Sequence, residues 1–194
     1  MRESGTAATS SSSPLSGIEI RAARPADAAS FTEAYGSVAA EKRFIQSERV
    51  TRSARVYRRR FRASWSDRAA HVVALDGHRV VANLSIHRND HPATWHVATL
   101  GMFVVASHRG RGIGGALMAE ALRWAREHRL ERVELTVYPH NEAALALYRR
   151  HGFVEEGRLV RHAKKSYGYE DEILMALWLG PEPPPTGSDA DGPG

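Results

Sequence analysis

A glycine-rich turn in the middle of this 194-residue chain joins two segments of different hydrophobic periodicity. The turn is Arg109-Gly-Arg-Gly-Ile-Gly-Gly115. Before it, Trp95 to Val105 alternates as a strand does, and after it Gly112 to His128 has apolar residues at helical spacing. Backbone amides at the start of a helix have no intrahelical acceptor and lie at the positive end of the helix dipole. The turn therefore predicts an anion-binding helix N-terminus that suits a phosphate.

Two other kinds of phosphate loop fit this turn less well. A P-loop NTPase is excluded because no Gly-Lys-Ser/Thr follows. The residues Gly110, Gly112 and Gly115 do match a dinucleotide-binding pattern. The next strand, however, ends at Thr136-Val-Tyr138 without an acid for a ribose, and the preceding strands form no βαβ series. We therefore interpret this match as accidental.

The segments before the turn predict a strand, two helices and an antiparallel meander. The strand is Ile18 to Arg21, the first helix runs from Pro25 to Val38, and the second runs from about Glu48 to Trp65. Asp76-Gly77 predicts a hairpin turn, because glycine tolerates the positive φ that such turns require. The three strands of the meander are His71 to Leu75, Val80 to Ile86 and Trp95 to Val105.

The segments after the turn predict a parallel unit and a final hairpin. The helix Gly112 to His128 and the strand Arg132 to Tyr138 follow the meander as crossover helix and parallel strand. A short helix is predicted over Asn141 to His151, and two strands over Phe153 to Arg161 and Tyr167 to Leu179. The order predicts a single α/β domain, with a mixed sheet and helices on both faces.

The two ends of the chain lack this periodicity. Residues 1–17 are mostly Ser, Thr, Ala and Gly, and residues 180–194 are rich in Pro and Gly, so both predict disordered tails around a domain at 18–179. No segment reads as a signal peptide or a membrane span, and we expect a cytoplasmic protein without a membrane partner. The absence of cysteine excludes disulfides, thiolate metal sites and a cysteine acyl-enzyme.

The net charge of +5 favours anionic ligands in general. Seven arginines fall between Arg49 and Arg62, on the second predicted helix. We expect no nucleic-acid partner, because charge runs usually form a solvated helix face. A basic nucleic-acid-binding module nevertheless stays open as the alternative. Arginine also greatly outnumbers lysine, which is typical of a GC-rich bacterial genome.

Two segments resemble a known family. Met102 to Met118 resembles the coenzyme A motif of the GNAT superfamily of N-acetyltransferases, in which Arg/Gln-x-x-Gly-x-Gly/Ala begins the central helix. Asn141 to Phe153 resembles the second hallmark of that superfamily, an Asn followed seven residues later by Tyr and then by Gly-Phe. The resemblance covers roughly Ile18 to Leu179. It implies a GNAT-like α/β (α+β mixed) fold with a twisted sheet of about seven strands.

The resemblance implies acetyl-CoA as co-substrate and no metal. Backbone amides of the glycine-rich turn would bind the pyrophosphate, and the end of the preceding strand would pair with the pantetheine arm. Asn141 would cap its helix and also contact the cofactor. The implied cofactor-binding residues are Met102, Phe103, Val104, Arg109, Gly110, Arg111, Gly112, Ile113, Gly114, Gly115 and Asn141.

For catalysis, the resemblance points to Tyr148 as a hydrogen-bond donor to the departing thiolate. The general base is not evident, because Thr99 and Thr136 stand where many relatives have acids. Glu134 is the candidate base, since it alternates onto the face of Thr136. Glu170, Asp171 and Glu172 would attract a cationic amine or form an exposed acidic cluster.

The sequence therefore predicts an N-acetyltransferase that transfers acetyl directly from acetyl-CoA to a primary amine. The expected acceptor is a small molecule, such as an amino acid, a polyamine or a xenobiotic amine. A protein or peptide N-acetyltransferase is an alternative. The sequence leaves open whether the protein is a monomer or a homodimer.

Overall fold

The computed structural model describes residues 15–181. The predicted tails at 1–17 and 180–194 lie for the most part outside the described residues, so their disorder stays a prediction. At the two limits, the amide of Ile18 donates to the Leu15 carbonyl at 3.0 Å, and the amide of Gly180 donates to the Glu131 carbonyl at 3.2 Å. None of the helices within 15–181 is long and apolar enough to span a bilayer.

Within this range the helices and strands follow the predicted order. The helices are α1 (Ala28–Ala40), α2 (Ala54–Arg60), α3 (Ile113–Glu127) and α4 (Glu142–Arg150). The strands are β1 (Ile18–Ala22), β2 (Ala69–Asp76), β3 (Arg79–Arg88), β4 (Val97–Val104), β5 (Arg132–Val137), β6 (Val154–Lys165) and β7 (Gly168–Trp178).

The seven strands form one mixed sheet in the order β1-β2-β3-β4-β5-β7-β6. Each pair is antiparallel except β4 and β5, which α3 connects as a crossover helix. The predicted α/β fold with a mixed sheet is confirmed. The parallel pair lies in the middle of the sheet and joins the meander to the final hairpin.

Helices cover both faces of the sheet, as predicted. On one face, inward residues of β2 to β5 and β7 pack with α3 and α4 around fully buried Trp124, whose indole donates to the Ser66 carbonyl at 2.7 Å. On the other face, α1 and α2 pack an aromatic cluster around Phe31, which contacts Tyr57, Phe61 and Phe103. The two cores hold β3 and β4 in place beneath the glycine-rich turn.

The second predicted helix is the main error of the sequence analysis. The periodicity predicts a helix from about Glu48 to Trp65, but α2 spans only Ala54–Arg60. Residues 41–53, here called the 41–53 segment, are irregular because their polar groups bond to the β6–β7 hairpin. The carboxylate of Glu48 accepts from the amide and the hydroxyl of Ser166 at 3.1 and 2.9 Å, which competes with helix formation.

Candidate functional site

The central strands separate beside the glycine-rich turn. Pairing between β4 and β5 covers only Val97 to Thr99 with Arg132 to Glu134, although both strands continue beyond that point. The edge of β4 that faces β5 is therefore open from Leu100 to Val104. The two strands splay apart here, and an extended ligand could pair with this free backbone edge.

The glycine-rich turn enters α3 through left-handed backbone. Gly110 and Gly112 have φ of +75° and +76°, where a side chain would be strained. Gly112 is the N-cap of α3, and no side chain caps this helix end. The first amides of α3, from Ile113 to Gly115, thus keep free donors at the positive end of a 15-residue helix.

Gly114 has a packing reason that the sequence analysis missed. A Cβ at this position would lie 3.0 Å from Leu147 Cδ2 of α4 and 3.8 Å from Met102 Sδ. The missing side chain of Gly114 thus lets α4 and β4 approach α3, while its predicted contact with a cofactor stays a prediction. Its amide still belongs to the uncapped first turn.

The side chain of Arg109 is engaged by the 41–53 segment. Its guanidinium donates to both carboxylate oxygens of Glu41 at 2.8 and 2.6 Å, and lies 4.5 Å from the ring centre of Phe44. Its Nε donates to the Val104 carbonyl at the end of β4. Glu41 therefore engages the Arg109 charge in this structure, and the role of Arg109 in cofactor binding stays a prediction. Arg111 is half-buried and has no ion pair within residues 15–181.

Residues Met102 and Phe103 place the β4 backbone in the splay while their side chains pack. Phe103 is buried against α1, with its ring 5.6 Å from those of Phe31 and Tyr35. Met102 is half-buried, and its sulfur lies close to α3. The predicted contribution of both residues is therefore confined to their main chain.

Asn141 caps α4, as predicted. Its side-chain oxygen accepts from the amide of Ala144 at 3.3 Å, and the side chain is half-buried. The cap sets the start of α4 one turn after the end of β5. A contact between Asn141 and a cofactor stays a prediction.

Tyr148 is buried on the inner face of α4. It packs against Phe153 with ring centres 5.8 Å apart, and the Phe153 amide donates to the Tyr148 carbonyl. Burial alone raises the pKa of the phenol well above its usual value. The group therefore keeps its proton at neutral pH and can donate a hydrogen bond, but it is a poor proton acceptor.

Glu134 lies at the closed end of the splay. It pairs in register with Thr99, the last paired residue of β4, and its carboxylate is 3.4 Å from both the Thr99 hydroxyl and Arg132 Nε. Arg132 also forms a bidentate pair with Glu156. This arrangement places Glu134 in an ion-pair network with Arg132 and Glu156, at the closed end of the splay.

The structure also reveals a polar cluster that the sequence analysis did not assemble. It contains Tyr138, Glu172, Gln46 and Lys165, which come from the residue after β5, from β7, from the 41–53 segment and from β6. We predicted either an exposed acidic cluster or an amine-attracting one at 170–172, and Glu172 is in fact buried. Within residues 15–181, no group of three His, Asp or Glu residues could hold a metal ion.

Comparison with known sequences identifies one family. The model of the Acetyltransferase (GNAT) family matches residues 38–153. The L-amino acid N-acetyltransferase AaaT of Escherichia coli (strain K12) is 35% identical over 106 residues, which cover 54% of this chain and 65% of that enzyme. The chain thus matches less than two thirds of the length of its curated relatives.

Comparison with solved structures gives the same fold. The acetyltransferase of the GNAT family from Streptococcus pneumoniae is 26% identical, with a TM-score of 0.78 over 84% of this chain and 99% of that chain. The putative acetyltransferase yncA from Salmonella typhimurium, solved with its cofactor acetyl-CoA, is 20% identical with a TM-score of 0.78. The superposition covers 88% of this chain and 99% of the Salmonella protein, so the two share the fold.

Proposed function

Because this chain belongs to the GNAT family of acetyltransferases, we propose that it transfers acetyl from acetyl-CoA directly to the primary amine of a small molecule. The observation that carries this proposal is the uncapped N-terminus of α3 beside the splay of β4 and β5. A donor-rich helix end and a free strand edge fit the two halves of a pantetheine carrier, its diphosphate and its amide-containing arm.

Most of the proposed contacts with the cofactor are made by backbone atoms. Amides from Arg109 to Gly115 would bind the diphosphate, with the unpaired charge of Arg111 close by. The edge of β4 from Met102 to Val104 would pair with the pantetheine amides, provided that Arg109 Nε releases the Val104 carbonyl. Asn141 would add a contact at the start of α4. The bound carrier supplies an acetyl group activated as a thioester.

On the catalytic side, Tyr148 would stabilise the departing thiolate. The amine nitrogen forms a bond to the acetyl carbon, the carbon–sulfur bond breaks, and the sulfur takes the electron pair. A phenol that holds its proton at neutral pH can donate a hydrogen bond to that sulfur. The amine must lose a proton, and Glu134 stays the predicted base despite its contact with Arg132.

Relatives support the small-molecule class of acceptor. Two of the curated relatives are named as an L-amino acid N-acetyltransferase and a putative phosphinothricin acetyltransferase. Both names describe acetylation of small amines. We therefore place amino acids and related small amines first among the acceptors of this protein, with the cytoplasm as its predicted location.

Calorimetry and a thiol-release assay test this function. We expect coenzyme A and acetyl-CoA to bind the full chain, and an amine from a panel of amino acids, polyamines and peptide N-termini to release free thiol. If neither carrier gives heat with folded protein, the proposed function is wrong. Thiol release with peptides alone would move the acceptor class to protein N-termini.

A second function, nucleic-acid binding, is favoured by one observation. The seven arginines between Arg49 and Arg62 form no ion pair within residues 15–181, and most are exposed around α2. Affinity for RNA or DNA that falls steeply with salt would support this function. Absence of such affinity, together with carrier binding, would assign the arginines to the solvated surface.

A further inference from the structure

The pairing of β5 with β7 brings a buried phenol beside a buried carboxylate. Val137 of β5 pairs with Ile173 of the antiparallel strand β7. The next residue after Val137, Tyr138, therefore lies opposite Glu172, the residue before Ile173. Their side chains are 3% and 2% exposed. Alternation puts them on the face opposite Val137 and Ile173, at the end of β5 where β4 has separated.

The hydroxyl of Tyr138 has no hydrogen-bond partner within residues 15–181. Its ring stacks on His140 with centres 5.4 Å apart, and Lys165 Nζ lies 5.2 Å from the ring centre. Lys165 donates instead to the carbonyls of Ile45 and Gln46, at 2.7 and 3.1 Å. A buried hydroxyl without a partner is rare in proteins, so this oxygen points to a ligand.

The carboxylate of Glu172 is held in place but keeps acceptor capacity. Gln46 Nε2 donates to its two oxygens at 3.0 and 3.1 Å, and His162 Nδ1 lies 2.5 Å from Oε2. A carboxylate has about four lone-pair directions. The contacts with Gln46 and His162 occupy three of these directions, two on Oε2 and one on Oε1. One lone-pair direction on Oε1 is left for a further donor.

A bulge in β6 positions His162, which contacts Glu172 of the cluster. The register of β6 shifts between Leu159 and Ala163, and Arg161 has a φ of +53°. The Arg161 amide donates to Asp171 Oδ1 at 2.7 Å, which fixes the bulge. The bulge places His162 Nδ1 against Glu172 Oε2.

We propose that Glu172 Oε1 and the Tyr138 hydroxyl oxygen bind an ammonium group of the acceptor amine. Both are acceptors in a buried setting, and an ammonium carries three N–H donors and a compensating positive charge. Gln46 and His162 are positioning residues for the carboxylate. This inference rests on the proposed function, since it gives the acceptor its place beside the splay.

The surrounding charges agree with a cationic ligand. Besides burial, the pKa of the Tyr138 phenol is raised by the nearby Glu172, Tyr167, Glu170 and Glu48. Lys165 is the cation closest to the ring, and its ammonium is already engaged by backbone carbonyls. A surface cavity beside the 41–53 segment is lined by Lys42, Gln46, Glu48, Arg49 and Lys164, and of these residues Gln46 contacts Glu172.

Titration of the full-length protein with n-butylammonium, followed by NMR, tests the site without any acetyl carrier. The matched uncharged probe is n-butanol. We expect the wild type to bind butylammonium at least about tenfold more tightly than butanol, and Tyr138→Phe and Glu172→Gln each to weaken butylammonium binding by about tenfold. Tyr57→Phe, a buried tyrosine of α2, is the matched control and should leave binding unchanged.

The Tyr138→Phe variant separates ligand binding from structure. It removes only an oxygen that makes no hydrogen bond within residues 15–181, so the variant should fold at least as stably as the wild type. Equal affinity for the two probes, or unchanged butylammonium binding in both variants, would overturn the inference. If the wild-type protein binds neither coenzyme A nor acetyl-CoA, the proposed function is refuted. The butylammonium titration is independent of that result, because it contains no carrier.

Discussion

At the scale of single residues, Tyr148 combines a buried ring with a phenol whose pKa is raised. Such a group is a hydrogen-bond donor at neutral pH. We expect Tyr148→Phe to lower kcat by on the order of 10²-fold while the affinity for acetyl-CoA changes little. Single-turnover kinetics and calorimetry measure the two quantities. An unchanged kcat in a folded variant would contradict this role.

Gly112 is the left-handed residue through which the glycine-rich turn, the proposed anion site, enters α3. Its φ of +76° strains any residue with a Cβ, although nothing lies within 4 Å of that position. We expect Gly112→Ala to cost about 1 kcal/mol of stability and to weaken coenzyme A binding about tenfold, because the first turn of α3 shifts. Calorimetry and thermal unfolding measure both effects.

Gly157→Ala provides the matched control for this substitution. Gly157 lies in β6, with no positive φ and nothing within 4 Å of an added Cβ. We expect wild-type affinity for coenzyme A in this variant. If Gly112→Ala binds the carrier as the wild type does, the turn does not hold the diphosphate through its backbone.

At the scale of elements, the pair of Arg109 and Glu41 links the anion turn to the 41–53 segment. The ion pair is bidentate, and the side chains are 34% and 28% exposed. Glu41 also places a negative charge beside the anion site. We expect Glu41→Gln to strengthen coenzyme A binding about two- to fivefold at low salt, with a smaller effect at high salt.

The control for this prediction is Glu33→Gln, which removes an exposed acid from α1, the helix that ends just before Glu41. Calorimetric titration at two salt concentrations compares the variants. Weaker carrier binding in Glu41→Gln would show that the pair supports the turn rather than competing with the anion.

The elements themselves were largely predictable. The positions of α3, α4 and the strands follow from hydrophobic period and turn residues, which are local properties of the chain. The extent of α2 was not predictable, because the carboxylate of Glu48 accepts a hydrogen bond from Ser166, 118 residues further along the chain. Local periodicity cannot report that competition.

At the scale of the whole molecule, His71 makes stability depend on pH. Burial, with His87 and Arg60 nearby, lowers the pKa of His71 to about 4. The unfolded chain therefore binds this proton more readily than the folded one. The contribution of His71 to the free energy of unfolding is fully present above about pH 6.5. It decreases by up to about 3 kcal/mol as the pH drops toward 4.

Chemical denaturation across this pH range measures the effect. We expect His71→Asn to lose less stability than the wild type between pH 6.5 and 4, because Asn carries no titrating group. Parallel curves for the two proteins would show that His71 titrates alike in both states. His87, whose pKa is also lowered by burial, contributes in the same direction in both proteins.

The amino-acid sequence alone determined the element order, the glycine-rich turn at the start of α3, the cap at Asn141 and the family resemblance, because each rests on residues close together in the chain. Tertiary structure decided which side chains are free. It engaged Arg109 with Glu41, tied Glu134 to Arg132 and buried Glu172 under Gln46, a residue 126 positions away. Charge and burial at a site depend on neighbours that only folding brings together, and the spacing of residues along the chain does not encode those distances.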